Sequence, residues 1–263
     1  MQATTLALVG ATGGAGTTRT AVELAALGAR DGRDVVVVDA AFTTQGLSEY
    51  VSGRIGTDLT ALVTDETDAP LSAATHPIDV GPAGAARGEE ADPPGRADAV
   101  PARAPFERLA RAKTAEAAQK LERRIDEAAT AYDAVVVDAA PVGSNEVVAA
   151  VTAADRVEAV SPATRHGRDA LQRLRGRIAD VGESVDGSIA VARDARAGSK
   201  REGLDDGVDT VLPAVDPAIE RAPTAATDAG EYVRALAETY ERALGASLGI
   251  ELEEPGLVER LRS

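Results

Sequence analysis

Six short apolar runs set the frame of this chain, at 4–9, 34–39, 133–138, 156–160, 188–192 and 208–212. Several are near-continuous in Val, Ile and Ala instead of alternating apolar with polar. An alternating strand has one wet face, whereas a continuous run is covered on both. Between the runs lie segments with apolar residues at helical spacing, at 17–30, 106–131, 143–152, 166–181 and 229–244. Strands that take turns with helices predict a parallel sheet joined by right-handed crossovers. The expectation is one doubly wound α/β domain over 1–246, with a mainly parallel sheet of about seven strands and helices on both faces. In such a sheet a ligand sits at the carboxyl ends of the strands.

One stretch breaks the pattern. Residues 76–105 contain six prolines and the acidic patch Glu89, Glu90 and Asp92, and read as an irregular, solvated insertion. The tail 247–263 carries Glu251, Glu253, Glu254 and Pro255, then Leu257, Val258 and Leu261, which fit one face of a short helix. Its apolar face is small and only Arg260 and Arg262 are there for anionic lipid, which disfavours membrane attachment.

Composition narrows the field. Aromatic residues are 2% of the chain, so the core has to be built from Val, Leu, Ile and Ala. The net charge is −15, and the lysines are three, Lys113, Lys120 and Lys200, against a large excess of arginine. An acidic, Arg-over-Lys, Ala-rich composition resembles proteins of salt-loving archaea; G+C-rich coding explains the Ala and Arg equally well, but the acidity less well. The negative charge disfavours direct DNA binding, which depends on neutralising phosphates. Arg165, Arg168, Arg173, Arg175 and Arg177 cluster on one helical segment and, with Asp169 and Asp180, read as a solvated face. His76 and His166 read as ordinary surface residues. The absence of cysteine excludes disulfides, thiolate metal sites, an iron–sulfur cluster and a Cys nucleophile. No secretion leader and no apolar run near the roughly 18 residues of a membrane span are visible, so a cytoplasmic protein is expected.

The candidate chemistry begins after the first run. Gly10-Ala11-Thr12-Gly13-Gly14-Ala15-Gly16-Thr17-Thr18-Arg19 links strand to helix. A glycine-rich turn there points backbone N–H groups and a helix N-terminus at one spot, which suits an anion. A phosphate loop normally adds a lysine for the β/γ-phosphates and a Ser/Thr for magnesium. Here Thr17 stands where the lysine belongs, and Thr18 keeps the hydroxyl.

Further on, Val35-Val36-Val37-Val38-Asp39 and Ala134-Val135-Val136-Val137-Asp138-Ala139-Ala140-Pro141 are apolar strands ending in aspartate. Together with the loop, with Gly32 before the second strand, Ala153-Ala154-Asp155, Ser161-Pro162-Ala163-Thr164 and Leu212-Pro213-Ala214-Val215-Asp216-Pro217-Ala218-Ile219-Glu220-Arg221-Ala222, this series resembles the MinD/ParA family of deviant P-loop ATPases. The resemblance covers roughly residues 4–245. It implies a dimeric ATPase that cycles between nucleotide states to position or partition a cargo. Carried onto this chain, it implies that Thr12, Gly13, Gly14, Ala15, Gly16, Thr17, Thr18 and Arg19 surround the phosphates and that Thr18 and Asp138 serve magnesium. Asp39 would orient the attacking water or contact magnesium, and Arg193, Pro213 and Asp216 would flank the adenine.

The departures bear on activity. The family's loop reads K-G-G-x-G-K-T-T, with one lysine crossing to the partner subunit and the other holding phosphates in its own. Thr12 and Thr17 replace both. Ala41 replaces the second switch-I aspartate and Ala192 the adenine-reading Asn. These losses imply weak binding of ATP or ADP with magnesium and weak or absent hydrolysis. The implied protein is a pseudo-ATPase scaffold for positioning, partition or regulation, forming a homodimer or pairing with an active paralogue. Two alternatives stay open: a slow genuine ATPase, and a redox-inactive NAD(P)-binding protein. In the second, Gly10, Gly13 and Gly16 would form a dinucleotide loop and Asp39 would hold a ribose.

Overall fold

Residue parity along the strands sorts the interior into two layers. In the run 35–38, Val36 and Val38 pack on one side of the sheet while Val35 and Val37 pack on the other, and all four are buried. Ala7 and Val9 against Leu6 and Leu8, and Val135 and Val137 against Ala134 and Val136, repeat the division. Both faces of each strand are therefore apolar and each needs a cover.

The computed structural model describes residues 3–80, 94–193 and 207–250. In chain order the elements are β1 (Thr4–Gly10), α1 (Thr17–Arg30), β2 (Asp34–Asp39), α2 (Leu59–Val63), β3 (His76–Pro77), β4 (Arg96–Val100), α3 (Phe106–Ala112), α4 (Ala115–Ala131), β5 (Ala134–Ala139), α5 (Asn145–Thr152), β6 (Arg156–Pro162), α6 (Arg165–Asp180), β7 (Gly187–Val191), β8 (Thr210–Leu212) and α7 (Glu231–Leu244). Helices α1 and α7 cover one face with Leu24, Leu27, Leu236 and Tyr240. The other face is covered from α4, α5 and α6 by Leu121, Ile125, Val147, Leu171, Leu174 and Ile178. Helix α1 lies so close that a Cβ at Gly28 would stand 2.6 Å from a Val35 methyl and 2.8 Å from the Tyr240 hydroxyl.

The strand order is β3-β4-β2-β5-β1-β6-β7-β8, parallel throughout except for β3. The sheet thus has eight strands, not the expected seven or so. The two strands that no apolar run announced, β3 and β4, lie inside 76–105, where an irregular insertion was expected: β4 pairs in parallel with β2 from Asp34↔Arg96 to Val38↔Val100. Residues 81–93, with the acidic patch, and 251–263, with the tail helix expected from Leu257, Val258 and Leu261, lie outside the described residues. The single helix expected over 106–131 is two. The break falls at Thr114, whose hydroxyl caps α4 by accepting from the Ala117 N–H at 3.3 Å.

At the amino end of the sheet one device repeats four times. Asp133, Asp155, Asp186 and Asp209 each precede a strand. Their carboxylates accept the backbone N–H of Asp34, Thr5, Val157 and Ser188 on the neighbouring strand, each at 2.8 Å. Their own N–H groups donate back to the carbonyls of those same residues at 2.8–3.0 Å. Each clasp fixes the register of one strand pair at its first residue.

Candidate functional site

Between β1 and β2 lies β5, and β6 flanks β1 on its other side. The chain leaves β1 where the connections diverge to the two halves of the sheet, which is where open α/β sheets bind ligands. The loop that begins there bends over β6, with the Ala11 N–H on the Val160 carbonyl at 2.7 Å and the Ala15 N–H on the Thr12 carbonyl at 3.2 Å. Gly14 and Gly16 have φ of +68° and +96°, left-handed conformations that glycine adopts without strain. Gly16 is the N-cap of α1 and offers no side-chain cap. The first-turn N–H groups of α1 are left for an anion or water, the arrangement that suits a phosphate.

The expected loop residues divide by position. Gly13 and Gly14 are exposed, Ala15 and Thr17 are buried, and Thr12, Gly16 and Thr18 are half-buried. Thr17 folds its hydroxyl over the strand end, 2.8 Å from where a Cβ on Gly10 would stand. The Thr18 hydroxyl lies beside Asp138 and 3.5 Å from the Cβ position of Gly46. Arg19 turns away from the loop. Its Nε donates to Glu23 at 2.5 Å and its Nη2 to the Thr224 hydroxyl at 2.9 Å, so its guanidinium is committed to the 222–226 segment instead of the phosphate loop. Glu23, fully buried, also accepts the N–H groups of Thr224 and Ala225 at 2.8 and 2.7 Å.

Asp39 and Asp138 are register partners at the carboxyl ends of β2 and β5. Asp39 is fully buried. It accepts from the Ala41 N–H at 2.9 Å and the Ala102 N–H at 3.2 Å, which ties the ends of β2 and β4 together. Burial, and then the charge of Asp138, push its carboxyl well above the usual range. Asp138 is 1% exposed, and neither carboxylate oxygen receives a hydrogen bond of full geometry, although the Thr18 hydroxyl stands close enough to favour the charged form. Burial raises it to about 6, opposed by the Thr18 hydroxyl. An unsatisfied buried carboxylate is costly, and a nearby cation relieves the cost. Among the described residues no group of three or more His, Cys, Asp or Glu could cage a metal. Magnesium needs no such cage, since it keeps most of its waters and binds through one or two protein oxygens plus phosphate.

The remaining expected residues lie on two other flanks. Arg193, just past β7, turns onto the loop and donates from Nη2 to the Gly14 carbonyl. Pro213 follows β8 at the same end of the sheet. Asp216 accepts from the Ala218 N–H at 3.0 Å and pairs with Arg221 at 3.3 Å. It lines an open cavity of about 1050 Å³ together with Glu49, Tyr50, Asp79 and residues of the 219–228 segment, and no residue of 10–19 is among its walls. Near the same end of the sheet Lys113, in the α3–α4 break, donates its ammonium to the Thr43 hydroxyl at 2.5 Å and lies 3.5 Å from the buried Glu146.

The topology also overturns the NAD(P) alternative. The dinucleotide fold runs β1 beside β2, with the acidic end of β2 open to the ribose. Here β5 separates them and Asp39 is sealed inside. No helix among the described residues is long and apolar enough to cross a membrane.

No family model matches the sequence. No curated protein matches it. Solved structures do. The cell division ATPase MinD of Pyrococcus furiosus superposes with a TM-score of 0.68 at 16% identity, covering 91% of this chain and 97% of that one. A chain of the MinC:MinD cell division protein complex of Aquifex aeolicus gives 0.68 at 19% identity, with 95% and 98% covered. Cobyrinic acid a,c-diamide synthase of Mycobacterium smegmatis, with bound ADP and magnesium, gives 0.65 at 18% identity, with 96% and 100% covered. The chain therefore has the fold of the MinD-type P-loop ATPases, an α/β fold with a mostly parallel eight-stranded sheet.

Proposed function

We propose that this protein is a MinD/ParA-like nucleotide switch with little or no hydrolysis, serving as a positioning, partition or regulatory scaffold. The carrying observation is the buried Asp138 carboxylate with neither oxygen bonded, set beside the Thr18 hydroxyl at the uncapped start of α1. Thr18 would hold magnesium, Asp138 would hold a water of its shell, and the backbone of 13–18 would hold the phosphates. Magnesium would neutralise phosphate charge. The fold is shared by a cell division ATPase and a cobyrinic acid a,c-diamide synthase, so fold alone does not choose the activity.

The weak hydrolysis follows from the loop. Phosphoryl transfer is catalysed by positioning and by charge placed on the transferring group. Thr12 and Thr17 bring none, Arg19 is held elsewhere, and Asp39 spends both oxygens on backbone N–H groups. A chain with a working cradle and no lysine fixed in the loop would report whether nucleotide is bound and turn it over little or not at all. The chain would form a homodimer or pair with an active paralogue; a second copy brings Thr12 in place of the crossing lysine, whereas an active paralogue would supply it. The acidic surface fits a concentrated-salt cytoplasm, so the natural assay medium is molar KCl.

The test is calorimetric titration with ATP, ADP and NAD(P) in molar KCl with magnesium, for the native chain and Asp138→Asn. Binding of ATP or ADP that weakens in the variant, with turnover near the uncatalysed rate, supports the reading. Turnover abolished by Asp138→Asn would establish a slow genuine ATPase instead. Silence toward ATP and ADP at millimolar concentration would refute the switch.

A further inference from the structure

Two loop positions that bear lysine in the MinD/ParA pattern bear threonine here, which leaves polyphosphate charge to be met from elsewhere. The nearby cations are not equivalent. Arg19 is bound to Glu23 and Thr224 on the far side of α1. Lys113 is held between Thr43 and Glu146. Arg193 lies on the loop itself. Its guanidinium donates to the Gly14 carbonyl and stands 3.4 Å from where a Cβ on Gly14 would be.

We propose that Arg193 takes over the role of the missing loop lysine, docking its guanidinium on the phosphate loop and pairing with the polyphosphate of the bound nucleotide. This rests on the nucleotide reading above and reassigns Arg193 from the base edge to the phosphates. The end of β7 is fixed against the loop, because Val191 packs 3.4 Å from the Cβ position of Gly16. Two residues on, Arg193 is exposed, so its side chain swings from Gly14 to a phosphate without leaving water. A guanidinium has five N–H donors in a planar fork that matches phosphate oxygens, and the contact with Gly14 is a single donor's. A charge delivered from outside the loop differs from a loop lysine in two respects. It is solvated, so its effect is screened by salt. It is also mounted on β7 instead of α1, so phosphate binding pulls on the β7–β8 side of the sheet.

The experiment is fluorescence titration with a ribose-labelled ADP analogue plus magnesium, for the native chain, Arg193→Gln, Arg193→Lys and, as a control on the exposed side of α6, Arg173→Gln. Pyrophosphate and adenosine serve as separate competitors, and each protein's melting curve shows that it is folded. The expected result is at least a tenfold loss of ADP and pyrophosphate affinity in Arg193→Gln, partial recovery in Arg193→Lys, and adenosine competition unchanged. The loss should shrink as KCl rises from 0.2 to 2 M, on the order expected for a screened contact. Unchanged ADP affinity in Arg193→Gln, with the native chain binding, overturns this inference and leaves the nucleotide reading intact. A loss confined to adenosine also overturns it and returns Arg193 to the base edge. A native chain that binds no nucleotide overturns both.

Discussion

At the amino end of the sheet, Asp133, Asp155, Asp186 and Asp209 each close a two-way clasp with a neighbouring strand, whereas at the carboxyl end Asp39 and Asp138 lie side by side and both oxygens of Asp138 go unbonded. The residue type is the same and the physics opposite. A carboxylate that accepts N–H groups has its charge met by the fold. A buried carboxylate with a single hydroxyl beside it and no bond of full geometry has its charge met chiefly by a proton or by something that arrives. One end of the sheet is finished; the other is complete only with a ligand.

The largest effect is expected from unfastening the finished end. Asp155→Ala with Asp209→Ala removes the two clasp bonds from backbone N–H groups, roughly 1.5–3 kcal/mol each, together with the bond from the Ser188 hydroxyl to Asp209, so at least about 3–6 kcal/mol for separated sites. Urea unfolding should record this loss, while nucleotide affinity stays as it was. Loss of nucleotide binding in folded protein would erase the distinction between the two ends. Next comes Thr17→Lys, which restores a cation to the loop. On the same scale it should tighten ATP binding by roughly 10- to 150-fold; no change would mean that the loop does not face phosphate. Then Asp138→Asn, which keeps the shape and removes the charge, should weaken magnesium-dependent ADP binding by about 10- to 100-fold, the usual cost of losing an outer-shell partner.

The smallest effect is that of pH on the ligand-free protein. Burial raises Asp138 to about 6, pushes Asp39 up, and raises Glu158, buried against Arg242 at 2.9 Å, to about 7. The folded state holds these protons more tightly than the unfolded chain does. Their contribution is full below the ordinary carboxyl range near 4 and is lost as pH rises through about 6 to 7. Stability should therefore fall from pH 5 to pH 8 by at least about 1.4 kcal/mol, the worth of one unit of carboxyl shift. Asp138→Asn should flatten part of that slope, as read by thermal melts across the range.

Much of the finished part was legible in the sequence. The boundaries of α1 and β2 follow from the apolar runs and from the glycines beside them. Strand β4 was not, because Arg96-Ala97-Asp98-Ala99-Val100 carries charge into the core. Asp98 is accommodated by Arg96 at 3.2 Å and by the Tyr132 hydroxyl at 2.8 Å, partners that exist only after folding. The α3–α4 break depends on a cap at Thr114 that a helical apolar pattern passes over. At the open end, the loop, Thr18 and Asp138 were readable because they follow strands at fixed offsets. The directions of Arg19 and Arg193 were not. Arg19 pairs with Glu23 one turn along α1, but what fixes its direction is Thr224, and Arg193, just past β7, is aimed by the Gly14 carbonyl; both of these partners are brought in only by the fold.

The most direct test of the central claim is the melting temperature of the native chain, Asp138→Asn and Asp155→Ala at pH 8, with and without saturating magnesium and ADP. Asp155→Ala should melt lower in both conditions and keep the full ligand-induced rise. Asp138→Asn should melt at or above the native chain when free, because it no longer buries an unpaired charge, and should lose most of the rise. If Asp138→Asn melts lower when free and keeps the rise, Asp138 is one more structural aspartate and the open end of the sheet is not a nucleotide site.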